Sequence, residues 1–333
     1  MQADRSQLRH AGRIVIKLGS KVVTTAEGAV DEEHLTHLAE QVAALTSAGK
    51  QVVIVTSGAI RAGRHQLGIR EQSLDLPARQ AAAAVGQIEL MGRYRDIFAR
   101  VGQPIAQVLL TQAELSDHRR YLHLRNTLTT LLTEYRAIPV LNENDSVSAE
   151  GVQIGENDRL AAVVASKLEA DLLLSLSDVA GYYRGDPNHD PGAELVSVVR
   201  EITPEMQALA LDSVGPAGRG GMRTKVESAK LAMAAGVVMV IADGREPFVI
   251  TRIMAGEELG RKRWIGYARV PRGRVTVDAG AAEAVTTGGK SLLPVGVVGV
   301  EGDFQPGDMV SVVVEQPGGP REIARGLVNY GAE

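Results

Sequence analysis

Short apolar runs alternate with segments of helical spacing along most of this chain, and that order constrains the fold more than any other feature. Strands are predicted at Arg13–Ser20, Gln51–Gly58, Ile105–Leu110, Ile138–Leu141, Asp171–Ser177 and Val237–Ile241. Helices are predicted at Asp31–Ser47, Ala59–Leu67, Pro77–Val101, Asp117–Tyr135, Asn157–Ala170 and Thr224–Ala235. Because most of the apolar runs do not alternate with polar residues, the strands are expected to be parallel and covered on both faces. The predicted fold class is α/β, a three-layer αβα sandwich with a mostly parallel central sheet.

The pattern changes near residue 260, at the basic stretch Arg261–Trp264. Valine-rich segments follow at Arg274–Val277, Val295–Val300 and Met309–Val314. Pro and Gly separate these segments, and only Ala281–Thr287 has helical character. We therefore predict a small β-rich second domain, with boundaries at residues 1–262 for the first domain and 268–333 for the second.

Composition excludes several classes of protein. The chain has 333 residues, of which 44% are hydrophobic but only 3% aromatic, so its core must consist of Val, Leu, Ile and Ala. The net charge of −4 argues against a protein that coats nucleic acid. The absence of cysteine excludes disulfides, thiol catalysis and Cys-ligated metals, and it agrees with a cytoplasmic location. The polar N-terminus predicts no signal peptide, and no run approaches the roughly 18 apolar residues of a membrane helix.

Two clusters of acids and amides flank one loop, Leu141–Asp158, which we call the acid–amide loop. The first cluster is Asn142-Glu-Asn-Asp145, directly after an apolar run, and the second is Glu156-Asn-Asp158. Any single Asn or Asp here is explained by a turn, because these side chains hydrogen-bond nearby backbone. Two clusters at the carboxyl end of a strand instead indicate the edge of an α/β sheet where ligands bind. They suit an ammonium or hydroxyl ligand, or the orientation of nearby lysines.

Standard nucleotide and hydrolase signatures are absent from the sequence. It has no G-x-x-x-x-G-K-[ST], no G-x-G-x-x-G after the first strand, no H-E-x-x-H and no G-x-S-x-G. Three glycine-bearing turns remain: Lys17-Leu-Gly-Ser20, Thr56-Ser-Gly-Ala59 and Gly218–Lys225. Each has an ordinary alternative, respectively a surface lysine with a buried stem, a plain strand-to-helix turn and a flexible linker.

The basic residues of these turns favour phosphoryl transfer. Backbone N–H groups at a helix start receive anions, and Gly218–Lys225 adds two arginines and a lysine that suit a polyphosphate. Lys17 and Lys225 would neutralise the transferring and leaving phosphates. A carboxylate acceptor is already ionised at neutral pH, because such groups titrate near pH ~4. No general base is then required, which agrees with the lack of an evident His or Ser–base pair.

Taken together, these residues resemble the glutamate 5-kinases of the amino-acid kinase family. The matching segments are Val15–Ser20, Val53–Ile60, Leu141–Asp145, Gly155–Asp158 and Gly220–Lys225. Each motif alone is weak, but their shared order and spacing are specific. The β-rich segments Val277–Gly280, Gly289–Val295 and Phe304–Asp308 resemble the PUA domain that is often fused to these kinases.

The resemblance implies that ATP, with Mg²⁺, phosphorylates the side-chain carboxylate of L-glutamate in the first step of proline biosynthesis. Lys17, Lys225 and Asp158 would be catalytic, with Asp158 orienting both lysines. Ser57, Asp145 and Asn157 would bind glutamate. The nucleotide would be bound by Lys17, Ser177, Asp178, Arg219, Gly220, Gly221, Met222, Arg223, Thr224 and Lys225. No side chain is assigned as a metal ligand.

The resemblance also implies inhibition by proline, a homo-dimer or homo-tetramer, and hand-over of the labile acyl phosphate to glutamyl-phosphate reductase. A few positions depart from the family pattern. Ser177 stands where threonine is usual, Arg219 and Arg223 where smaller polar residues are common, and Gln153 where lysine is frequent. A PUA domain of this type would be expected to continue for a strand or more beyond Glu333.

Two alternatives stay open at this point. One is another amino-acid kinase acting on acetylglutamate, aspartate or carbamate, although Asp145 disfavours acetylglutamate, whose amine carries no charge. The other is an RNA-binding regulator, since PUA domains elsewhere bind RNA and Arg261–Arg263 with Lys290 is locally basic. The negative net charge and the lack of stacking aromatics argue against RNA as the main partner. No membrane partner is expected.

Overall fold

The computed structural model describes residues 5–71, 73–148, 156–184, 192–212, 221–257, 265–267, 273–286, 292–306, 308–315 and 319–332. The chain divides into two compact units, Met1–Ala268 and Arg269–Glu333. The first unit contains the strands β1 (Arg13–Leu18), β2 (Gln51–Val55), β3 (Ile105–Leu110), β4 (Ile138–Glu143), β5 (Leu172–Ser177), β6 (Val238–Asp243) and β7 (Ile265–Tyr267). Its helices are α1 (Ser20–Val23), α2 (Glu32–Ser47), α3 (Ala59–Gln66), α4 (Leu76–Arg100), α5 (Gln112–Ser116), α6 (His118–Thr133), α7 (Glu156–Lys167), α8 (Pro204–Asp212), α9 (Met222–Ala234) and α10 (Val249–Met254).

The strands of the first unit form one sheet in the order β3-β4-β2-β1-β5-β6-β7. All neighbouring pairs from β3 to β6 are parallel, whereas β7 pairs antiparallel with β6. The predicted mostly parallel sheet is confirmed. Strand β7 is not among the predicted strands, because three residues are too few to form a recognisable apolar run.

Helices cover both faces of this sheet, as the apolar strands predict. In β1, Ile14 and Ile16 belong to the core cluster that includes α2, α4 and α10, and Val15 belongs to the cluster with α6, α7 and α9. Successive side chains of a strand point to opposite faces, so the two clusters lie on opposite sides of the sheet. The same alternation places Lys17 on the face of Val15, toward α7 and α9.

Two glycines allow α3 and α4 to pack backbone against backbone. A Cβ atom on Gly63 would lie 1.8 Å from the carbonyl oxygen of Ala82, and one on Gly86 would lie 1.8 Å from that of Ala59. No rotamer relieves an overlap with backbone, so any side chain at either position would push the helices apart. Because α3 begins at the carboxyl end of β2, this packing also holds α4 close to the ligand-binding edge of the sheet.

Two predicted boundaries around the acid–amide loop are wrong. Strand β4 does not end at Leu141 but continues through Asn142 and Glu143, which are buried and pair with the end of β3. Helix α7 begins at Glu156, so Asn157 lies inside the helix and is not its N-cap. Both errors have one cause: these polar side chains bond to other elements of the fold, and a local pattern does not contain those partners.

Helix α10 shows the same limit of local patterns. The residue before it, Phe248, has a left-handed backbone with φ of 55° and no side-chain acceptor for a cap. Gln41 of α2 supplies the acceptor instead, since its Oε1 receives the backbone N–H groups of Ile250 and Thr251 at 2.9 and 3.2 Å. Because the cap of α10 is a glutamine in a different helix, the residues of α10 alone do not predict where it begins.

The second unit is β-rich, as predicted. It contains β8 (Gly273–Val277), α11 (Ala279–Thr286), β9 (Val297–Gly302), β10 (Met309–Val314) and β11 (Arg321–Leu327). The strand order is β11-β10-β8-β9, with β8 and β10 parallel and the outer pairs antiparallel. Its core is built around Val275, Val277, Phe304, Val310 and Val312. Strand β11 was not predicted, because its charged residues lack the valine-rich pattern of the others.

Candidate active site

Polar side chains from several elements meet at the carboxyl ends of the central parallel strands. Lys17 lies near the end of β1, Ser57 follows β2, and Asn142 lies near the end of β4. The first turn of α7 supplies Asn157 and Asp158 to the same edge. This is the edge where open α/β sheets bind ligands, because the turns after the strands converge there.

Asp158 lies between two buried lysines. Its Oδ1 is 2.6 Å from Nζ of Lys17, and its Oδ2 is 3.6 Å from Nζ of Lys225. Oδ2 also accepts a 2.9 Å hydrogen bond from Oγ1 of Thr224. Lys17, Asp158 and Lys225 are only 6%, 3% and 5% exposed. The structure thus brings the three predicted catalytic side chains together, and Lys17 is not the surface lysine of the alternative. We call these three residues the lysine cluster.

Burial and charge act in opposite directions on the lysine cluster. Burial lowers the pKa of Lys17 from its ordinary 10.5, although the carboxylate of Asp158 opposes the shift. Burial also disfavours the charged form of Asp158, but Lys17 and Lys225 outweigh it and lower the pKa of this carboxyl to about 2. Asp158 therefore stays ionised at physiological pH. Two ammonium groups facing one carboxylate give the cluster an excess of positive charge, which suits a phosphate.

The start of α9 carries part of the predicted nucleotide-binding segment. Gly221 precedes the helix, Met222 and Arg223 are its first residues, and Thr224 bonds both the carbonyl of Gly221 and Asp158. Arg223 forms a 2.9 Å ion pair with Glu227 on the helix surface. Arg219 and Gly220 lie outside the described residues. Lys225, one turn into α9, connects this segment to the lysine cluster.

Ser177 and Asp178 occupy the end of β5 and the turn that follows it. Ser177 is buried, and its Oγ has no hydrogen-bond partner among the residues that the structure describes. Asp178 forms a 2.6 Å ion pair with Lys21 of α1. Burial works against ionisation of Asp178, but the hydrogen bond and charge of Lys21 outweigh it and lower its pKa. An unpartnered hydroxyl and an exposed ion pair beside the lysines are compatible with the predicted role in nucleotide binding.

A chain of hydrogen-bonded side chains, which we call the amide network, adjoins the lysine cluster. Nδ2 of Asn157 donates to Oγ of Ser57 and to Oδ1 of Asn142, each at 3.1 Å. Nδ2 of Asn142 donates in turn to Oε1 of Gln87, at 2.8 Å. The network joins the turn after β2, strand β4, helix α4 and helix α7. Asn157 and Asp158 are neighbours in sequence, so α7 contributes one residue to each half of the site.

Asp145, the third predicted glutamate-binding residue, lies partly buried in the turn after β4. The turn is attached to α4, because Nε2 of Gln80 donates to the carbonyl of Ser148 at 3.1 Å. Ser148 also donates to Oε1 of Glu143 at 3.3 Å. Of the three predicted residues, Ser57 and Asn157 are hydrogen-bonded to each other, whereas Asp145 lies on a separate turn that Gln80 attaches to α4.

Two residues of the site, Asn142 and Gln87, were not predicted from the sequence. Asn142 belongs to the first acid–amide cluster, and a polar residue that extends an apolar strand is a signal that was available for it. Gln87 gave no signal, because it lies in an alanine-rich helix where glutamine is a normal surface residue. Only the packing of α4 on the sheet edge reveals what Gln87 contacts.

Within the described ranges, no group of three or more His, Asp or Glu side chains is arranged to hold a metal ion. In the same ranges, no helix combines the length and apolar character needed to cross a membrane. At the site itself, the acidic residues Asp158 and Asp178 each pair with lysine.

Comparison with known families matches both units. The Amino acid kinase family matches residues 12–243, and the PUA domain matches residues 273–333. A Glutamate 5-kinase of Syntrophus aciditrophicus is 44% identical, with all of this chain and 88% of the relative aligned. A Glutamate 5-kinase of Chromohalobacter salexigens is 45% identical, with 99% of this chain and 89% of the relative aligned.

Solved structures with little sequence identity share the fold of the first unit. A UMP kinase from Ureaplasma parvum is 16% identical, has a TM-score of 0.51, and covers 78% of this chain and 99% of its own. An isopentenyl phosphate kinase is 19% identical, has a TM-score of 0.51, and covers 76% of this chain and 100% of its own. At such identities the likeness concerns the fold alone.

Proposed function

The chain belongs to the amino acid kinase family, where its near full-length relatives are glutamate 5-kinases, and from this premise we propose how its site works. The enzyme transfers the γ-phosphoryl group of ATP to the side-chain carboxylate of L-glutamate, forming L-glutamyl 5-phosphate and ADP in proline biosynthesis. The observation that carries this proposal is the buried lysine cluster beside the amide network. One half provides positive charge for phosphates, and the other provides neutral hydrogen-bonding groups for an amino acid.

The proposed chemical step needs no proton transfer to or from the acceptor. An oxygen of the ionised glutamate carboxylate forms a bond to the γ-phosphorus, and the bond from that phosphorus to the β,γ-bridging oxygen breaks. The electron pair of the broken bond stays with ADP. Negative charge therefore moves onto the leaving phosphate and spreads over the transferring oxygens, where Lys17 and Lys225 stabilise it. Asp158 holds both ammonium groups in place through contacts of 2.6 and 3.6 Å.

Nucleotide and metal binding follow from the same geometry. We propose that the phosphates lie against Lys17, Lys225 and the start of α9, with Ser177 and Asp178 bordering the nucleotide. Mg²⁺ would be held mainly by phosphate oxygens, because Asp158 is buried and engaged by both lysines, whereas Asp178, the more exposed of these two carboxylates, could contribute a ligand. When bound, the cation neutralises phosphate charge. Arg219 and Gly220 are proposed to extend this segment.

On the acceptor side, we propose that Ser57, Asn157 and Asp145 bind glutamate. The carboxylate of Asp145 suits a free ammonium group, which favours glutamate over acetylglutamate as acceptor. Aspartate and carbamate remain the competing acceptors, because the lysine cluster would serve any carboxylate. We also propose inhibition by proline at this pocket, assembly into a dimer or tetramer, transfer of the product to glutamyl-phosphate reductase, and a cytoplasmic location where ATP is available.

The decisive experiment is a comparison of acceptors by the full chain. ATP consumption is measured with glutamate, acetylglutamate, aspartate and carbamate, and acyl phosphate is trapped with hydroxylamine. We expect hydroxamate with glutamate, suppression by proline, and no turnover by the Lys17→Met variant. Turnover of another acceptor alone would preserve the lysine assignments but reassign Ser57, Asp145 and Asn157.

A second candidate, RNA binding, is favoured by one observation, the PUA match over residues 273–333. A gel-shift titration against structured RNA tests it. We expect only weak binding that disappears as salt rises, since the chain carries a net charge of −4. A tight complex that survives in high salt would make RNA a genuine partner of the second unit.

A further inference from the structure

Gln87 is the one member of the amide network that belongs to a surface-type helix segment and yet points into the site. Its Oε1 accepts the 2.8 Å hydrogen bond from Nδ2 of Asn142. Its helix, α4, packs backbone against backbone on α3 at Gly63 and Gly86, and this packing limits how far α4 can shift along α3. The side chain is therefore held at both ends, by a rigid helix and by a buried partner.

The direction of every amide in the network is set by one backbone group. The N–H of Glu143 can only donate, and it donates to Oδ1 of Asn142 at 3.0 Å. Asn142 must therefore present Nδ2 to Gln87, which makes the atom that faces Asn142 the oxygen Oε1. The same Oδ1 of Asn142 accepts from Asn157, so the atom of Asn157 that faces it is Nδ2.

This polarity leaves the network with two complementary ends. Nε2 of Gln87 is a donor and Oδ1 of Asn157 is an acceptor. Both atoms are buried, and neither has a hydrogen-bond partner within the residues that the structure describes. A buried polar atom without a partner costs on the order of 1–3 kcal/mol, so the pair is expected to be matched when a ligand binds. A donor and an acceptor joined through one asparagine suit a group that carries a carboxylate and an ammonium on the same carbon.

We propose that Gln87 is a substrate-binding residue whose Nε2 donates to the α-carboxylate of the amino-acid acceptor. Oδ1 of Asn157 would accept one hydrogen bond from the ammonium group, whose charge is paired with the carboxylate of Asp145. The inference deepens the proposed function and rests on it. Gln87 would thus bind the α-carboxylate, which does not react, and would help to direct the side-chain carboxylate toward the lysine cluster.

A purely supporting role for Gln87 is the rival explanation, and one substitution separates the two. Gln87→Glu keeps an oxygen that accepts from Asn142, so a residue that acts only through Asn142 should tolerate it. The same change replaces the free NH₂ by a negatively charged oxygen facing the α-carboxylate. Gln87→Met removes both interactions at similar volume, and Ile88→Met, at a neighbouring position that is 78% exposed, is the matched control.

The test is steady-state kinetics of the full chain with glutamate and ATP, with folding of each variant checked by thermal unfolding. We expect Gln87→Met to raise KM for glutamate about tenfold to a hundredfold, the effect of a lost hydrogen bond to a charged group. Gln87→Glu should raise it further. In all three variants we expect KM for ATP to stay within about twofold, and Ile88→Met should match the parent enzyme.

A second measurement uses 4-aminobutanoate, which has the reacting carboxylate and the amine of glutamate but lacks the α-carboxylate. We expect its inhibition constant, measured in competition with glutamate, to be the same in the parent enzyme and in Gln87→Met. Two results would overturn the proposal in favour of a supporting role. One is a near-normal KM for glutamate in Gln87→Glu, and the other is that Gln87→Met weakens the binding of glutamate and of 4-aminobutanoate by the same factor. If the parent enzyme did not use glutamate at all, the proposed function would fail before Gln87 was tested, so the two failures are distinguishable.

Discussion

The lysine cluster and the amide network lie side by side, share the first turn of α7, and are built on opposite principles. In the lysine cluster, three formal charges are buried to within a few per cent exposure and held by ion pairs of 2.6 and 3.6 Å. In the amide network, neutral groups are joined by hydrogen bonds of 2.8–3.1 Å, and their direction follows from one backbone N–H.

The difference corresponds to the two tasks of the reaction. Charge that appears during phosphoryl transfer is stabilised best by fixed charges in a site of low dielectric constant. An acceptor that does not change charge at its amino-acid end needs orientation, which neutral donors and acceptors supply without a large desolvation cost. Changes in the lysine cluster should therefore appear mainly in kcat, and changes in the amide network mainly in KM for glutamate.

The largest expected effect is that of Lys225→Ala. Removing an ammonium group that stabilises the transition state should lower kcat by roughly a hundredfold to a thousandfold, with a smaller change in KM for glutamate. Lys230→Ala, in the same helix but exposed, is the control and should leave kcat unchanged. Near-normal turnover by the Lys225 variant would remove this lysine from the chemical step.

Asp158→Asn should be the next largest change, because it leaves two buried ammonium groups without their carboxylate. We expect a loss of about 3 kcal/mol or more in the free energy of unfolding, measured by denaturant titration at neutral pH. The two lysines lower the pKa of this carboxyl from an ordinary 3.8 to about 2, so its contribution to stability is present above pH 3.8 and disappears as pH falls toward 2. The variant should lack that acid-side loss. Equal stability of variant and parent at pH 7 would contradict the assignment.

The same substitution should alter the alkaline side of the rate profile. Asp158 raises the pKa of Lys17 against the effect of burial, so its removal should lower that pKa further. Activity that needs the charged lysine is lost as pH rises through this pKa. The alkaline limb of kcat/KM for ATP, which reports the free enzyme, should therefore move to lower pH in Asp158→Asn. An unmoved limb would show that Lys17 does not control it.

The lysine cluster was predictable from sequence to a much greater extent than the amide network. Lys17 and Lys225 lie in glycine-bearing turns, and their local chemistry predicted a phosphate site. Asp158 lies in an acid–amide cluster, and the family resemblance implied its place between the two lysines. Asn142 and Gln87 acquire their roles through contacts with Asn157 and with each other. The first contact joins β4 to α7, and the second joins β4 to α4, which packs on α3 through Gly63 and Gly86; no local motif contains either contact.

The same reasoning applies to the fold. Apolar strands predicted a parallel sheet because burial on both faces is a property of each strand taken alone. The predicted end of β4 and the predicted beginning of α7 were wrong, because Asn142, Glu143 and Asn157 are polar residues that pair with other elements of the fold. Helix α10 was missed for the same reason, because its cap is Gln41.

A smaller effect, confined to the acceptor, is expected for Asp145→Ala. Losing a carboxylate that pairs with the ammonium group should raise KM for glutamate about tenfold to a hundredfold, and KM for ATP much less. Ser146→Ala, an exposed neighbour in the same turn, is the control. Glutarate, which lacks the amine, should compete equally well in parent and variant. Equal increases in both KM values would instead indicate that the whole turn has moved.

The smallest kinetic effect is expected from removal of the second unit. Every residue of the lysine cluster and the amide network belongs to the first unit, Met1–Ala268. A chain that ends at Ala268 should keep kcat and both KM values within about threefold, and loss of activity in that folded chain would give the second unit a role in catalysis. The site of truncation affects the expected stability, because a chain that ends at Trp264 would also lose β7, the antiparallel partner of β6. That cut would expose an apolar strand as a new sheet edge, so we expect the shorter chain to unfold at lower temperature and to aggregate.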